Sequence, residues 1–185
     1  TEGFQTVKKV DPHLVIKKKD GKEQEVQEGW LGHILPFELV QRVLLNDEYQ
    51  ALKQKENRLS DIPGEYEALL DELTEDEKET SVLNDNNDAF VAKEVTKMLK
   101  TLKKETQTEE TNAFIQKLTR YETLSKEEKA LKKSIKEDSA ALHLLTKQTL
   151  ENLSDNEAKD LLERKWIRHL TDELHQLPDN AVKNL

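Results

Sequence analysis

Cysteine is absent from this chain of 185 residues, so disulfide bonds and thiolate zinc sites are excluded and a cytoplasmic location is favoured. Glycine is scarce, and the nearest pair, Gly29 and Gly32, lacks the third glycine of a phosphate-binding loop. No window approaches 18 uninterrupted apolar residues, which predicts no membrane span and no membrane partner. Because Thr1 is first and Met98 is the only methionine, we expect a piece of a larger protein.

Hydrophobic residues make up 35% of the chain and charged residues 36%, against about a quarter charged in ordinary domains. That balance is typical of elongated helices. Residues 61–88 hold eleven acids and a single base, Lys78, whereas the remainder has 28 bases and 27 acids. The net charge of -9 is therefore concentrated in one acidic block. We expect this block to repel nucleic acid, which the rest of the chain need not do.

A small β-hairpin is predicted within residues 13–27, where two strand-like runs flank Asp20-Gly21. An isolated hairpin is marginal in water and has to pack against something. The stretch that follows, EGWLGHILPFELVQ (residues 28–41), combines turn-forming residues with large apolar side chains. We expect it to seat the hairpin against helices and to open the next helix at Pro36.

Beyond Pro36 the sequence predicts helix almost to the end, with apolar residues at helical spacing. The segment around Pro63 is expected to stop one helix and start another, and Asp88 is expected to cap the helix after the acidic block. The polar stretch ETQTEETN is expected to break the pattern before a shorter helix, NAFIQKLTRYETL.

Two capping boxes, Ser125 with Glu128 and Ser154 with Glu157, predict the starts of two long helices joined by a short turn. The predicted fold class is mainly α: an elongated helical array with long antiparallel helices and a small N-terminal β-hairpin. The expected segments are 1–35 (hairpin and apolar bridge), 36–105 (helical region with acidic connector) and 106–185 (long helical hairpin).

The helix within AFVAKEVTKMLKTLKK (residues 89–104) is the most clearly two-faced in the chain. One predicted stripe is apolar: Val91, Val95, Met98 and Leu102. The opposite stripe, called here the lysine row, consists of Lys93, Lys97, Lys100 and Lys104. The lysine row is interpreted as a solvated face or a partner of the acidic block, with contact to DNA or an acidic partner as the alternative.

The sequence shows no motif typical of an enzyme site. The five histidines show no metal-ligand spacing, and residues 85–88 lack the glycine and the terminal Glu of a calcium loop. We therefore expect no metal site and no catalytic residue, and residues 85–88 are interpreted as connector and N-cap. A basic patch around Trp166 is noted, with Trp166 itself assigned to a core stripe.

The succession of the hairpin, EGWLGHILPFELVQ, RLSDIPGEYEALLDELTEDEK and NDNNDAFVAKEVTKMLK resembles the C-terminal region of the modification (M) subunit of type I restriction-modification systems. The most specific part is GHILPFELVQ, and the similarity extends from about residue 7 to residue 104. The family's M subunit is an adenine-specific DNA methyltransferase that uses S-adenosylmethionine. It works with a specificity subunit, which reads DNA, and a restriction subunit, which cuts it.

The resemblance implies an interaction module. The glycine-rich cofactor motif and the Asn-Pro-Pro-Tyr motif of the family are missing, and the four prolines are never adjacent. S-adenosylmethionine is thus expected in the parent protein and not in this fragment. The implied partners are the specificity and restriction subunits, with DNA contacted through the complex. The docking candidates are Leu131, Ile135, Leu142, Leu145, Trp166 and Leu170.

Two other functions stay open at the level of sequence. The lysine row predicts a nucleic-acid-binding helical module. The seam of residues 126–153, which Asp138 and Thr149 interrupt, predicts either docking with a chosen partner or a self-assembling coiled-coil scaffold.

Overall fold

The computed structural model describes residues 3–19, 22–104 and 108–168. Of the described residues 69% are helical, and they include one small antiparallel hairpin, which confirms the predicted mainly α fold. The helices within the described residues are α1 (Gly3–Val7), α2 (Phe37–Leu44), α3 (Asn46–Asp71), α4 (Glu75–Lys78), α5 (Ala92–Leu102), α6 (Glu109–Glu151) and α7 (Asp155–Glu163), with a π-helical turn at Arg164–Arg168.

The hairpin consists of β1 (Val10–Lys19) and β2 (Lys22–Gly32), which pair in antiparallel register with Val15 opposite Val26. The register shifts between His13 and Leu14. The predicted hairpin is confirmed and is longer than expected, whereas the predicted turn residues Asp20 and Gly21 lie outside the described residues.

The chain divides into two compact units. The central unit is Lys53–Glu137, and the terminal unit comprises the residues up to Leu52 together with those from Asp138 onward. Each unit has its own hydrophobic core. Both α3 and α6 are long enough to contribute residues to both units.

The core of the terminal unit lies between the segment after the hairpin and the helices α1, α2, α6 and α7. Leu35, Val40, Leu150 and Leu161 have no exposed surface there. Ile34 and Phe37 pack against the same cluster. The 28–41 stretch therefore buries apolar side chains directly after the hairpin, as expected, with Leu35 fully buried in the cluster.

The core of the central unit lies between α3, α5 and α6. Leu69, Val82, Val95 and Leu118 are fully buried, and Met98 and Leu102 pack against this cluster, as the predicted apolar stripe of α5 requires. Within the unit α3 and α6 are antiparallel, because residues near 58 contact residues near 127 while residues near 72 contact residues near 117.

The predicted helix stop at Pro63 is wrong, because α3 continues from Asn46 to Asp71 through the proline. Proline removes one helical hydrogen bond, but neighbouring contacts hold the helix on both sides. Ile62 is fully buried, and Arg58 in the preceding turn bonds both Glu65 beyond the proline and Glu127 in α6. Tertiary packing therefore outweighs the local signal.

The predicted break near residue 125 is also wrong, because α6 is one helix of 43 residues. Its start is capped by Thr108, whose Oγ1 accepts a hydrogen bond from the Thr111 N–H at 3.2 Å. Glu128 does not cap anything, since its carboxylate accepts from Tyr66 and Lys132. Apolar packing lies on both sides of the predicted break, with Leu124 buried before it and Leu131 and Ile135 half-buried after it.

Asp88 does not cap α5, contrary to prediction, because the N-cap residue is Val91. Asp88 instead takes part in a closed loop around Asn84, which donates to the Asp88 carboxylate and accepts from the Asp88 N–H. The Val91 N–H bonds the Val82 carbonyl at 2.8 Å, so the loop is fastened at its base. The predicted Ser154–Glu157 capping box, by contrast, is confirmed at the start of α7.

Candidate functional site

A hydrogen-bonded clasp fixes the hairpin of the terminal unit to α6. The Trp30 N–H donates to Nε2 of His143 at 2.9 Å, and the ring of Phe37 lies 4.9 Å from the imidazole. Lys147 places its ammonium group 4.5 Å from the Trp30 ring centroid, a cation–π contact. The hairpin is thus seated by residues of the 28–41 stretch, as the sequence predicted.

Gly29 is required by this clasp for two reasons. Its φ of +147° is open to glycine and rarely adopted by other residues. A Cβ at this position would also lie 2.7 Å from Nε2 of His143, which is closer than non-bonded atoms approach. A side chain at position 29 would therefore displace the imidazole that accepts the Trp30 N–H.

His143 is a structural histidine. Partial burial of the ring, and to a lesser extent the nearby His13, lower the pKa of His143 below its ordinary value. The neutral imidazole is the form that the clasp needs, because Nε2 accepts a hydrogen bond only when it carries no proton. This role could not be predicted from the sequence, since a lone histidine on a helix has many possible surroundings.

The predicted docking residues have different surroundings. Leu142 is buried in the folded chain, while Leu131, Ile135 and Leu145 are half-buried. Trp166 is 57% exposed, so the expectation that it serves the core is wrong. Leu170 lies outside the described residues. Of the predicted set, Trp166 is the described side chain with the most surface open to a partner.

The π-helical turn that carries Trp166 is anchored at two points. Nε of Arg164 donates to the Asp160 carboxylate at 2.6 Å, and Nζ of Lys165 donates to the Ile34 carbonyl at 2.6 Å. The same lysine lies 4.5 Å from the Trp166 ring centroid. Trp166 and Ile167, 55% exposed, are therefore presented on a turn that is tied to the body of the terminal unit.

The lysine row of the central unit is exposed as predicted. Lys93, Lys97, Lys100 and Lys104 lie on one open surface together with Thr96 and Thr101. Among the described residues the row makes one ion pair, between Lys97 and Glu94 at 3.3 Å within the same helix.

In the described part of the chain the acidic block pairs with residues of α6, and not with the lysine row that the sequence suggested as its partner. The Lys117 ammonium group in α6 bonds both the Glu77 carboxylate and the Glu72 carbonyl at 2.7 Å. Arg120 lies 3.5 Å from the Glu72 carboxylate. The observed contacts thus connect these acids to α6, and the lysine row is not where Glu72 and Glu77 find their counter-charges.

Several carboxyl groups have lowered pKa values, and each has a structural cause. Glu127 accepts hydrogen bonds from Arg58, Glu128 from Lys132 and then Tyr66, and Glu157 from Ser154, which holds the pKa of each carboxyl below its ordinary value. Asp11 is lowered in the same way by His33. Such groups stay ionised near neutral pH and bind cations or cap helices, so they are poorly suited to act as general acids.

The described residues contain neither a metal-ligand cluster nor a membrane-spanning helix. No three His, Cys, Asp or Glu side chains in this part of the chain are grouped so that they can hold a metal ion. None of its helices combines the length and the apolar composition that crossing a bilayer requires.

Sequence reasoning missed a capping box in the acidic block, where Thr74 and Glu77 bond each other's backbone N–H groups at the start of α4. The pattern Thr-Glu-Asp-Glu was a readable signal for it. It also missed the exposed Leu144, because helical spacing alone does not say which apolar residues the fold leaves uncovered.

The chain matches no protein-family model, no curated protein and no solved structure at a significant level.

Proposed function

We propose that this chain is the C-terminal helical interaction module of the methyltransferase subunit of a type I restriction-modification system. In this function it docks on the specificity and restriction subunits, and the assembly methylates adenine at a specific DNA site. The proposal rests on the resemblance of residues 7–104, centred on GHILPFELVQ, to that family. S-adenosylmethionine and the catalytic residues belong to the parent protein.

The anchored π-helical turn is the observation that supports docking best. A tryptophan with most of its surface exposed is uncommon in a soluble chain, and exposed aromatic residues are over-represented among residues that dominate binding energy. Here Trp166 and Ile167 lie side by side on a turn that Arg164 and Lys165 fasten. A fixed apolar pair loses little conformational entropy when a partner covers it.

Co-expression with the specificity subunit encoded beside the parent gene tests this function, with the mass of the complex measured by light scattering. We expect a complex of defined stoichiometry that Trp166→Asp weakens at least tenfold. Leu14→Asp is the matched control, because Leu14 is 52% exposed on the hairpin and is not part of the turn. It should leave the complex intact.

Two outcomes would contradict the proposal. A folded chain that forms no complex with that subunit removes the docking role. A homo-oligomer that forms in preference to the mixed complex supports the coiled-coil scaffold instead. Circular dichroism of each variant shows that a loss of binding is not a loss of fold.

A further inference from the structure

The lysine row has a length and a direction that follow from its helix. The helix α5 runs from Ala92 to Leu102, and Lys104 follows it by two residues. At 1.5 Å per residue, the distance from Lys93 to Lys104 along the axis is roughly 16 Å. Successive phosphates of one strand in a DNA duplex advance about 3.4 Å along the duplex axis, so the row matches the length of roughly four or five phosphates.

The local charge of this segment opposes that of the whole chain. Residues 92–104 contain five lysines (Lys93, Lys97, Lys100, Lys103, Lys104) and one acid, Glu94, which gives 5 − 1 = +4 in a chain of net charge -9. Within the described residues, Lys93, Lys100 and Lys104 make no ion pair. Glu72, Glu75 and Glu77 of the nearby acidic block pair with Arg120, Lys78 and Lys117.

The other groups on this surface limit what it can recognise. The hydroxyl groups of Thr96 and Thr101 donate to the Ala92 and Lys97 carbonyls of their own helix, so their protons are already used. What remains is a set of ammonium groups, which are compact point charges without the planar fork that reads base edges. The six residues that line the surface include no aromatic side chain on which single-stranded bases stack.

We propose that the lysine row binds the phosphate backbone of a nucleic-acid duplex without reading its base sequence. This inference rests on α5 and the two residues that follow it, and it is independent of the proposed docking function. Each lysine that neutralises a phosphate releases a counterion, which lowers log K by about 0.9 per unit of log salt. Three or four contacts give a slope of about -2.7 to -3.6 and a loss of about 40- to 150-fold in affinity between 50 and 200 mM salt.

Fluorescence anisotropy with labelled 20-base-pair duplexes of two unrelated DNA sequences tests the proposal on the full chain. The test variant replaces all four lysines of the row with glutamine (Lys93→Gln, Lys97→Gln, Lys100→Gln, Lys104→Gln). We expect the two duplexes to bind equally, with the slope given above. The variant should bind at least tenfold more weakly at 50 mM salt, and its slope should move towards zero.

A second set of lysines on α6 provides a matched control. Lys126, Lys129, Lys133 and Lys136 are also exposed, follow one another at helical steps of three and four residues and lie in the same unit, but Lys126 and Lys133 pair with Glu122 and Glu137. Replacing these four with glutamine changes the net charge by the same amount. The control variant should keep its affinity within about twofold, because its lysines are not the contact surface.

Four outcomes would overturn the proposal: no binding at 50 mM salt, equal losses in the two variants, a clear preference for one duplex sequence, or tighter binding to the single strand than to the duplex. Equal losses of affinity in the two variants would mean that binding depends on net charge alone and not on the lysine row. A parallel titration with duplex RNA shows whether backbone spacing restricts the row to DNA. Since all eight lysines are exposed, circular dichroism should show unchanged helix content in both variants.

Discussion

The central unit and the terminal unit are both largely helical, yet different interactions hold them together. In the central unit α3 and α6 are joined by charged pairs, since Arg58 donates two hydrogen bonds to Glu127, at 2.7 and 2.9 Å. An aromatic cluster adds to this, with the Tyr121 ring 5.4 Å from Tyr66 and 4.5 Å from Phe90. In the terminal unit the hairpin is fixed to α6 by a neutral hydrogen bond to His143.

The difference teaches that each unit depends on the protonation of a different kind of group. Glu127 raises the pKa of Arg58, and Arg58 lowers the pKa of Glu127. Both groups of the pair therefore stay charged from acidic to alkaline pH. The pKa of Tyr66 is raised, first because its ring is partly buried and second because its hydroxyl donates to Glu128. The clasp of the terminal unit needs an imidazole without a second proton. Mild acid should therefore affect the terminal unit first.

The largest expected effect comes from removing one buried leucine from each core. Leu118 and Leu150 both lie on α6 and are fully buried, but they belong to the cores of the central and the terminal unit. Leu118→Ala and Leu150→Ala should each lower the free energy of unfolding of its own unit by about 2–5 kcal/mol, through lost burial and the cavity that remains. Urea denaturation measures both.

Two probes separate the units in this experiment. Trp30 and Trp166 both belong to the terminal unit, so tryptophan fluorescence reports on Leu150→Ala, while circular dichroism reports on all the helices. Leu144→Ala is the control and should change stability by less than about 0.5 kcal/mol, because Leu144 is 55% exposed. Identical shifts of one transition in both leucine variants would show that the units unfold together and would weaken the comparison.

The helix ends show which features of the fold can be predicted from the sequence. Ser154 with Glu157 was correctly predicted as a capping box because all of its bonds are local. Ser125 with Glu128 has the same spacing and was predicted wrongly, because Tyr66 from a distant part of the chain donates a hydrogen bond to the Glu128 carboxylate. Pro63 shows the same limit, since Arg58 and Glu127 are 69 residues apart.

The candidate surfaces follow the same rule. The lysine row was predictable because both stripes of α5 are set by spacing within one helix. The exposure of Trp166 was not, because its position in an apolar pattern predicts burial unless one knows which helices cover it. Burial depends on contacts between distant residues, and a single sequence does not contain these in readable form.

The next effect in size concerns two glycines in different backbone conformations. Gly29→Ala should lower the free energy of unfolding by about 1–3 kcal/mol, since it strains a φ of +147° and displaces His143. Gly64→Ala is the matched control: position 64 lies inside α3, an added Cβ there would meet no atom within 4 Å, and the change should raise stability by about 0.5–1 kcal/mol. Thermal denaturation at pH 8 measures both. Equal and small effects would show that the clasp adds little to stability.

A smaller effect, about 1 kcal/mol in each case, is expected from removing one N-cap of the same kind from each unit. Thr74 caps α4 in the central unit and Ser154 caps α7 in the terminal unit, and each hydroxyl accepts from the N–H of a glutamate three residues on, at 3.3 Å. Thr74→Ala and Ser154→Ala each remove one such bond. Ser154→Thr keeps the oxygen and should restore most of the stability in urea denaturation, whereas equal losses in Ser154→Ala and Ser154→Thr would rule out capping as the cause.

The smallest effect is the pH dependence of the clasp, because it involves one proton on a partly exposed ring. The pKa of His143 is lower in the folded chain than its ordinary value near 6.5, so the unfolded chain binds more protons in mild acid. The contribution of His143 is fully present above pH 6.5 and is lost as the pH falls through that value towards the folded pKa. His143→Gln keeps an acceptor for the Trp30 N–H and does not titrate, so the difference in unfolding free energy between wild type and His143→Gln should change with pH only in this window.

Proton NMR of the imidazole gives the midpoint of the His143 titration directly. His13→Gln should raise this midpoint, because the charge of His13 helps to lower the pKa of His143. A midpoint above 6.5, or the same pH slope in both proteins, would show that the clasp does not depend on a neutral ring and that the two units do not differ in their response to acid.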